Sequence, residues 1–327
     1  MTFPISDHCD GQVFFNPAIA AAPPAPRRGA WARLGFLLRW QFSRRERGAW
    51  PAAVMLPGFP PPDARAVPAR GAAVTFLGHA SFLIRLPGCT ILTDPVFSPR
   101  ASPFSFVGPK RVAPPGVALA DLPPVDLVLL SHNHYDHMDL TTLRALAARF
   151  APRFLTTLGN RAFLARHAIA AEELDWWDTH THAGLRITAT PARHFAARWL
   201  HDRNRTLWAG FMIAGAGGRI LFAGDSGAGP HWAEIAARLG APDLALLPIG
   251  AYAPAWMMQP VHMNPEEAVA AHQALGARRS LGMHFGTFRM ADEAYDEPPA
   301  RLRAAAARAA VDFDVPGLGE TRVFPFD

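Results

Sequence analysis

Between Ser131 and Asp139 the chain reads Ser-His-Asn-His-Tyr-Asp-His-Met-Asp, so His132, His134, Asp136 and His137 fall within six positions. Neutral imidazole nitrogen and carboxylate oxygen are the donors that borderline divalent ions such as zinc prefer, and this segment offers both at close range. One or two histidines here would suit a solvated turn or a helix N-terminus. Three with an aspartate, directly after the largely apolar run 125–130, point to a metal site.

Three further strand-like runs end in a metal-competent residue. Residues 185–190 lead to His194, 219–222 to Asp225, and 279–283 to His284. Taken singly, each would be a packing, surface or turn residue. Delivered by four strand ends they form a set, because sites are commonly assembled from loops at one edge of a rigid sheet.

Those loops need strands and helices to position them. Runs 74–77, 81–86 and 90–94 read as strands in meander order, the last ending in Asp94. Residues 95–124 form a long Pro-, Ser- and Gly-rich loop carrying Gly108-Pro109-Lys110-Arg111, and a loop of that length is usually functional or disordered. Strand 125–130 follows, then a helix over 140–150 with Asp139 or Thr141 at its N-cap. Beyond it come strand 153–157, helix 161–167, strand 185–190, a hairpin of 207–213 with 219–222, and strand 244–249. Helix 265–275 sits behind Asn264 as N-cap, and strand 279–283 ends the series. Early strands followed by alternating strands and helices predict an α/β protein, with sheets covered by helices.

Residues 1–70 read as an N-terminal extension to a main domain over 71–327. Residues 18–26 are Ala- and Pro-rich, and 31–47 carry aromatic and leucine residues at near-helical spacing with arginines between them. That segment predicts a short basic amphipathic helix that either packs on the main domain or lies on a membrane surface.

The chain of 327 residues is 50% hydrophobic and 18% charged, an ordinary balance for a soluble globular enzyme. The net charge is +5, but Lys110 is the only lysine and the Ala-, Pro- and Arg-rich composition explains the excess without a nucleic-acid partner. Only Cys9 and Cys89 occur, without a C-x-x-C, so neither a disulfide scaffold nor a Cys-type zinc site is expected. With no signal peptide and no run of about 20 apolar residues, the expected location is cytoplasmic, at most peripheral to a membrane.

The ordered segments also resemble a known family. Leu77-Gly78-His79-Ala80, Leu92-Thr93-Asp94-Pro95, Gly108-Pro109-Lys110-Arg111, the Ser131–Asp139 stretch, Leu174-Asp175-Trp176-Trp177, Gly224-Asp225-Ser226-Gly227 and His284-Phe285-Gly286-Thr287 follow one another as in metallo-β-lactamase-fold hydrolases. The match is nearest to N-acyl-phosphatidylethanolamine phospholipase D and its bacterial relatives. It covers about residues 72–300, and the arm motifs His8-Cys9-Asp10-Gly11 and Phe14-Phe15-Asn16-Pro17 look like those of the bacterial members. It departs at Ser105-Phe106, where the mammalian member carries Gln-Tyr on a loop expected to face substrate.

The resemblance implies a four-layer αβ/βα sandwich with two zinc ions per chain at one edge. His132, His134 and His194 would hold one ion and Asp136, His137 and His284 the other, with Asp225 shared between them. A hydroxide bridging the ions would be the nucleophile. Asp136, Asp225 and His262 are the expected catalytic residues; Lys110, Arg111 and His262 are expected at the substrate. Asp94 and Asp139 are expected to orient ligand imidazoles. The implied activity is a phospholipase D-type phosphodiesterase acting on N-acyl-phosphatidylethanolamine-like phospholipids. Alternatives are a lactonase or other ester or amide hydrolase on the same site, and a metal-binding membrane-surface module with little turnover. The expected partner is a phospholipid or other small phosphodiester or ester; a homodimer stays open.

Overall fold

The computed structural model of the protein describes residues 2–17, 48–199, 201–215 and 217–326. The amphipathic segment expected at 31–47 lies outside the described residues. Among the described residues fourteen strands form two sheets of seven. The first has the order β14-β1-β2-β3-β4-β5-β6. It comprises β1 (Gly71–Gly78), β2 (Ser81–Leu86), β3 (Cys89–Thr93), β4 (Leu127–Leu129), β5 (Arg153–Thr157), β6 (Ala171–Leu174) and β14 (Thr321–Pro325). The second, β13-β12-β11-β10-β9-β8-β7, comprises β7 (Thr179–His182), β8 (Leu185–Thr190), β9 (Gly210–Gly215), β10 (Gly218–Phe222), β11 (Leu244–Pro248), β12 (Arg279–Met283) and β13 (Phe313–Asp314).

Side-chain parity explains the layering. Leu127 and Leu129 belong to the large core that also holds Ile187, Phe211 and Phe222 of the second sheet. Val128 and Leu130 belong to a separate core with Leu143 and Leu146 of α1 (Leu140–Phe150). Successive residues of a strand face opposite sides. A sheet buried on both sides therefore reads as a continuous apolar run, as β1 and β4 do. Helices α2 (Arg161–Ala165), α3 (His231–Leu239), α4 (Ala255–Met258), α5 (Pro265–Leu275) and α6 (Glu297–Ala309) complete the α/β sandwich.

Both halves repeat one pairing scheme. β1, β2 and β3 pair antiparallel, then β3 through β6 pair parallel; β8, β9 and β10 pair antiparallel, then β10 through β13 pair parallel. It follows that β1, β3 and β4 run one way in the first sheet, and β8, β10 and β12 run one way in the second. Their C-terminal ends are the six points from which the site is built.

The structure differs from the sequence expectation in several elements. The run at 207–213 joins its sheet only from Gly210, because Leu207 N donates to Leu158 O and Ala209 N to Ser131 O, tying the stretch to the loops of the first sheet. The helix expected to reach 167 ends at Ala165, and Ala168 turns the chain at φ 61°. α3, α6, β6, β7, β13 and β14 were not marked by the sequence pattern. β7 is Thr-His-Thr-His, an edge strand without apolar alternation. β14 is a strand because Gly71 to Thr75 pair with it from far along the chain.

The N-terminal arm, residues 2–17, is tied to the second half. Phe14 is buried in the larger core with Cys9, and Phe14 N donates to Asn204 O at 2.8 Å. The His8 ring stacks on Trp176 at 4.2 Å, with Nε2 2.8 Å from Asp175 Oδ1 and Nδ1 2.7 Å from Asp7 Oδ1. Burial disfavours the imidazolium, but the two carboxylates outweigh it and raise the His8 pKa. A raised pKa in the folded state gives stability that is complete below the unfolded value of about 6.5 and fades as pH rises through the native value. The stability difference between the native chain and His8→Phe, measured by urea denaturation, should therefore be larger at about pH 6 than at about pH 9. Equal differences would remove the charged pairs from the account.

Candidate metal centre

β4 ends at Leu129, and the chain then turns through Ser131–His137 into α1. His137 N and Met138 N both donate to His134 O, which closes the turn that gathers four donor side chains. Arg198 braces it from outside. Its half-buried guanidinium donates to Asn133 O at 2.8 Å and Met138 O at 2.9 Å, and lies 4.1 Å over the Tyr135 ring. His194 follows β8, Asp225 follows β10, and His284 follows β12. Gly224 must be glycine: φ is +60°, and a Cβ there would come within 2.8 Å of both the Ser131 Cβ and the Ala209 carbonyl oxygen. His79, Asp94 and His284 also have positive φ, at 57°, 33° and 62°. Left-handed backbone costs a non-glycine residue about 1–3 kcal/mol, so three such residues at one edge mark a place where geometry is held against local preference.

The side chains converge in two groups. Ring nitrogens of His132, His134 and His194 lie within 4.8 Å of one another, as do donor atoms of His79, Asp136, His137 and His284. Asp225 stands between them, its Oδ2 3.0 Å from His284 Nε2, 3.2 Å from His137 Nε2, 3.6 Å from His194 Nε2 and 4.0 Å from His132 Nε2.

Proton accounting shows why these residues fit a cation. Ser131 Oγ donates to Asp94 Oδ2 at 2.5 Å, so it accepts from Nδ1 of His132 at 2.9 Å. His194 Nδ1 donates to Val261 O at 3.0 Å. Both rings, assigned from this network, then present a bare Nε2 lone pair. Those lone pairs lie 2.8 and 3.2 Å from His134 Nδ1, which can carry one proton and satisfy only one of them. In the second group His137 Nε2 and His284 Nε2 crowd on the single oxygen Asp225 Oδ2, and Asp225 Oδ1 is buried without a hydrogen-bond partner. Unpaired buried polar atoms are costly, and converging lone pairs on imidazole and carboxylate are relieved by a divalent ion.

Burial, helped by neighbouring imidazoles, keeps His132 well below the ordinary histidine range. Burial likewise holds His134 down to about 4 and His194 to about 3. All three are therefore neutral and ready to ligate. Burial also opposes charge on His137 and His284, but Asp225 and Asp136 outweigh it, raising His137 well above its usual value and His284 to about 9. Without a cation these two carry the positive charge that Asp136 and Asp225, both held far down, require. A metal ion bound there would take over that task, and the two rings would give up their Nε2 protons to ligate it.

Around these groups, Asp94 accepts from His137 Nδ1 at 2.6 Å and from Ser131 N at 2.8 Å. His79 Nε2 bonds Asp136 Oδ2 at 2.9 Å. Sequence reasoning missed His79 as a site residue, although it lies at the end of a strand, as the assigned residues do. Arg198 was missed for lack of any motif. His262 is buried, its ring 5.0 Å from that of His194 and 5.2 Å from that of His284, with Nδ1 unpartnered.

Two expected roles are corrected. Asp139 caps α1 through Thr141 N and also accepts from Thr142 Oγ1, Phe97 N and Ser98 N; no site imidazole is among its bonds to the described residues. Arg111, expected at the substrate, is half-buried with its guanidinium engaged by backbone carbonyls. Its guanidinium donates to the carbonyls of Val96, Ser98 and Ala113 and lies over Phe288, pinning the long loop, while burial lowers its pKa to about 10. Lys110 is exposed and pairs through its backbone with Arg100. Beside the metal loop a cleft of about 640 Å³ is lined by Tyr135, Met138, Arg144, Phe163, Arg198 and Trp199, among others.

A two-sheet α/β sandwich with histidines and carboxylates gathered at one strand edge defines a metal-dependent hydrolase. Residues 89–285 match the family described as "Beta-lactamase superfamily domain", and the chain belongs to that superfamily. An uncharacterized protein of Mycobacterium tuberculosis is 42% identical over 295 residues, covering 88% of this chain and 78% of its own. The N-acyl-phosphatidylethanolamine-hydrolyzing phospholipase D 1 of Caenorhabditis elegans is 39% identical over 247 residues, 71% of this chain and 69% of its own. A solved metallo hydrolase from the archaeon Ignicoccus hospitalis has the same fold, with TM-score 0.61 and 24% identity over 78% of this chain and 99% of its own. Among the described residues no helix is long and apolar enough to cross a membrane.

Asp94 holds the His137 ring through Nδ1, so Asp94→Ala should lower metal affinity by about 10–100-fold while the protein still folds. Competition against a chromophoric chelator measures this. An unchanged affinity would show that Asp94 is irrelevant to the donors.

Proposed function

We propose that the protein is a zinc-dependent phosphodiesterase of phospholipase D type, acting on N-acyl-phosphatidylethanolamine-like phospholipids. The observation that carries this is the meeting of seven side chains at one edge with unpartnered lone pairs facing inward. The substrate class is supported by the 39% identity to the Caenorhabditis elegans phospholipase D.

His132, His134 and His194 would hold one ion, and Asp136, His137 and His284 a second, with Asp225 common to both. Two such ions supply a water of lowered pKa and positive charge for the oxygens of a phosphodiester. The protein's own part is orientation and exclusion of water. Ser131 and the Val261 carbonyl leave Nε2 of His132 and His194 bare, Asp94 orients the His137 ring through Nδ1, and His79 holds Asp136. His262, buried and neutral with a free Nδ1, sits where it can bond a phosphoryl or leaving-group oxygen. In the reaction the bond between phosphorus and the ethanolamine oxygen breaks. Water supplies the new oxygen on phosphorus, and phosphatidic acid and an N-acylethanolamine leave. The cleft beside Tyr135, with aromatic and arginine side chains together, suits a substrate that is both apolar and anionic.

The test is hydrolysis of N-acyl-phosphatidylethanolamine in detergent, set beside bis(p-nitrophenyl) phosphate and a lactone panel. Phospholipid cleavage should fall to background on chelation and in Asp225→Asn, and return with zinc in the native chain only. Activity surviving both treatments would sink the proposal. Turnover of lactones without phosphodiesters would transfer the same site to a carboxylic-ester hydrolase.

A further inference from the structure

The loop that carries His194 poses a structural problem. Between β8 and β9, the described residues 191–199 and 201–209 contain no strand or helix. A loop of that length does not fix a side chain by itself, and ordered donors need support from outside. The described N-terminal arm supplies it. Asn16 is buried, and both ends of its amide are bonded: Nδ2 donates to His194 O at 2.7 Å, and Oδ1 accepts from Trp208 Nε1 at 3.2 Å. Trp208 Nε1 is shared with Ala192 O at 2.9 Å, two residues before His194. Farther along the same loop, Phe14 N donates to Asn204 O, and Asn204 N to Ala196 O.

The amide orientation is fixed by chemistry, because a carbonyl needs a donor and an indole N–H needs an acceptor. Asn16 is therefore matched to this place in a way that an apolar residue is not. The arm itself cannot drift, since Phe14 is packed in the large core and His8 is held by Asp175 and Trp176. The His194 ring is fixed from the other side by the Val261 carbonyl. Backbone and ring are thus each held by a partner outside the loop.

We infer that Asn16 is a positioning residue for the candidate metal centre, and that the N-terminal arm is a strap that sets the His194 donor against His132 and His134. This rests on His194 being a metal donor, as in the proposed function. It adds a role for the Phe14-Phe15-Asn16-Pro17 motif, which that function leaves without one.

The experiment is a titration of the metal-free full chain with zinc alone against a chromophoric chelator, on the native protein, His194→Ala and Asn16→Ala. Melting of the metal-free proteins is recorded alongside. His194→Ala identifies the binding step that depends on this loop. Asn16→Ala should weaken that same step by about 10–100-fold, the range for partners that orient a ligand, and leave the other step near its native affinity. If Asn16→Ala is not folded, Asn16→Asp takes its place, since it keeps the acceptor for Trp208 and loses the donor to the His194 carbonyl. The same selective weakening is expected. A lower melting temperature with both zinc steps unchanged would overturn the inference and leave Asn16 a packing residue. Retention of both steps by His194→Ala would overturn the His194 assignment itself, together with the inference built on it.

Discussion

Lone pairs on neighbouring buried nitrogens repel, and the fold brings those of His132 and His194 together on the single nitrogen His134 Nδ1. Much of the surrounding structure serves that enforced meeting. Ser131 and the Val261 carbonyl each occupy the far side of an imidazole and leave its other nitrogen bare, and Asp94 holds the His137 ring by its Nδ1. The carboxylates Asp136 and Asp225 increase the local demand for positive charge, which two protonated histidines meet only in the absence of a cation. Such an arrangement is a poor hydrophobic core and a good cation site. Its cost is borne by the apolar layers on either side of each sheet.

Strand direction is what makes the meeting possible. The donor segments around 132–137, 194, 225 and 284 are far apart in sequence, but all follow strands whose C-terminal ends lie at one edge, as the alternation of antiparallel and parallel pairing requires. The left-handed backbone at His79, Asp94 and His284 turns the chain sharply as it leaves those strands. Arg198 and Asn16 then act at the level of loops, each using polar groups to hold carbonyls that no strand or helix engages.

How much of this was legible in the sequence depended on whether the signal was local. The apolar run before His132 and the His-Asp spacing after it are local, so the strand and its four donors could be read directly. The other strand-end residues could be picked out because each follows a short apolar run closed by Gly, Pro or a polar residue. β7 and β14 could not, since one is a polar edge and the other exists by pairing with β1. Arg111 was misread because a basic residue on a long loop looks exposed; only the folded loop shows three carbonyls around its guanidinium. Asp139 illustrates the converse, a carboxylate near a site that serves the adjoining helix. His79 lacked a spacing motif, and Asn16 has meaning only through a carbonyl 178 positions away.

The division of the donors between the two sheets has a consequence for biosynthesis. His132, His134, Asp136 and His137 belong to the first half of the chain, while His194, Asp225 and His284 are contributed by the second. During vectorial synthesis the first four emerge while their complements are still untranslated, and domains that fold as they emerge must tolerate such intervals. An ion captured then would have an incomplete and changeable set of ligands. The complete set of candidate donors therefore exists only once the two sheets have docked, and the first sheet itself waits for β14, the last strand to be made.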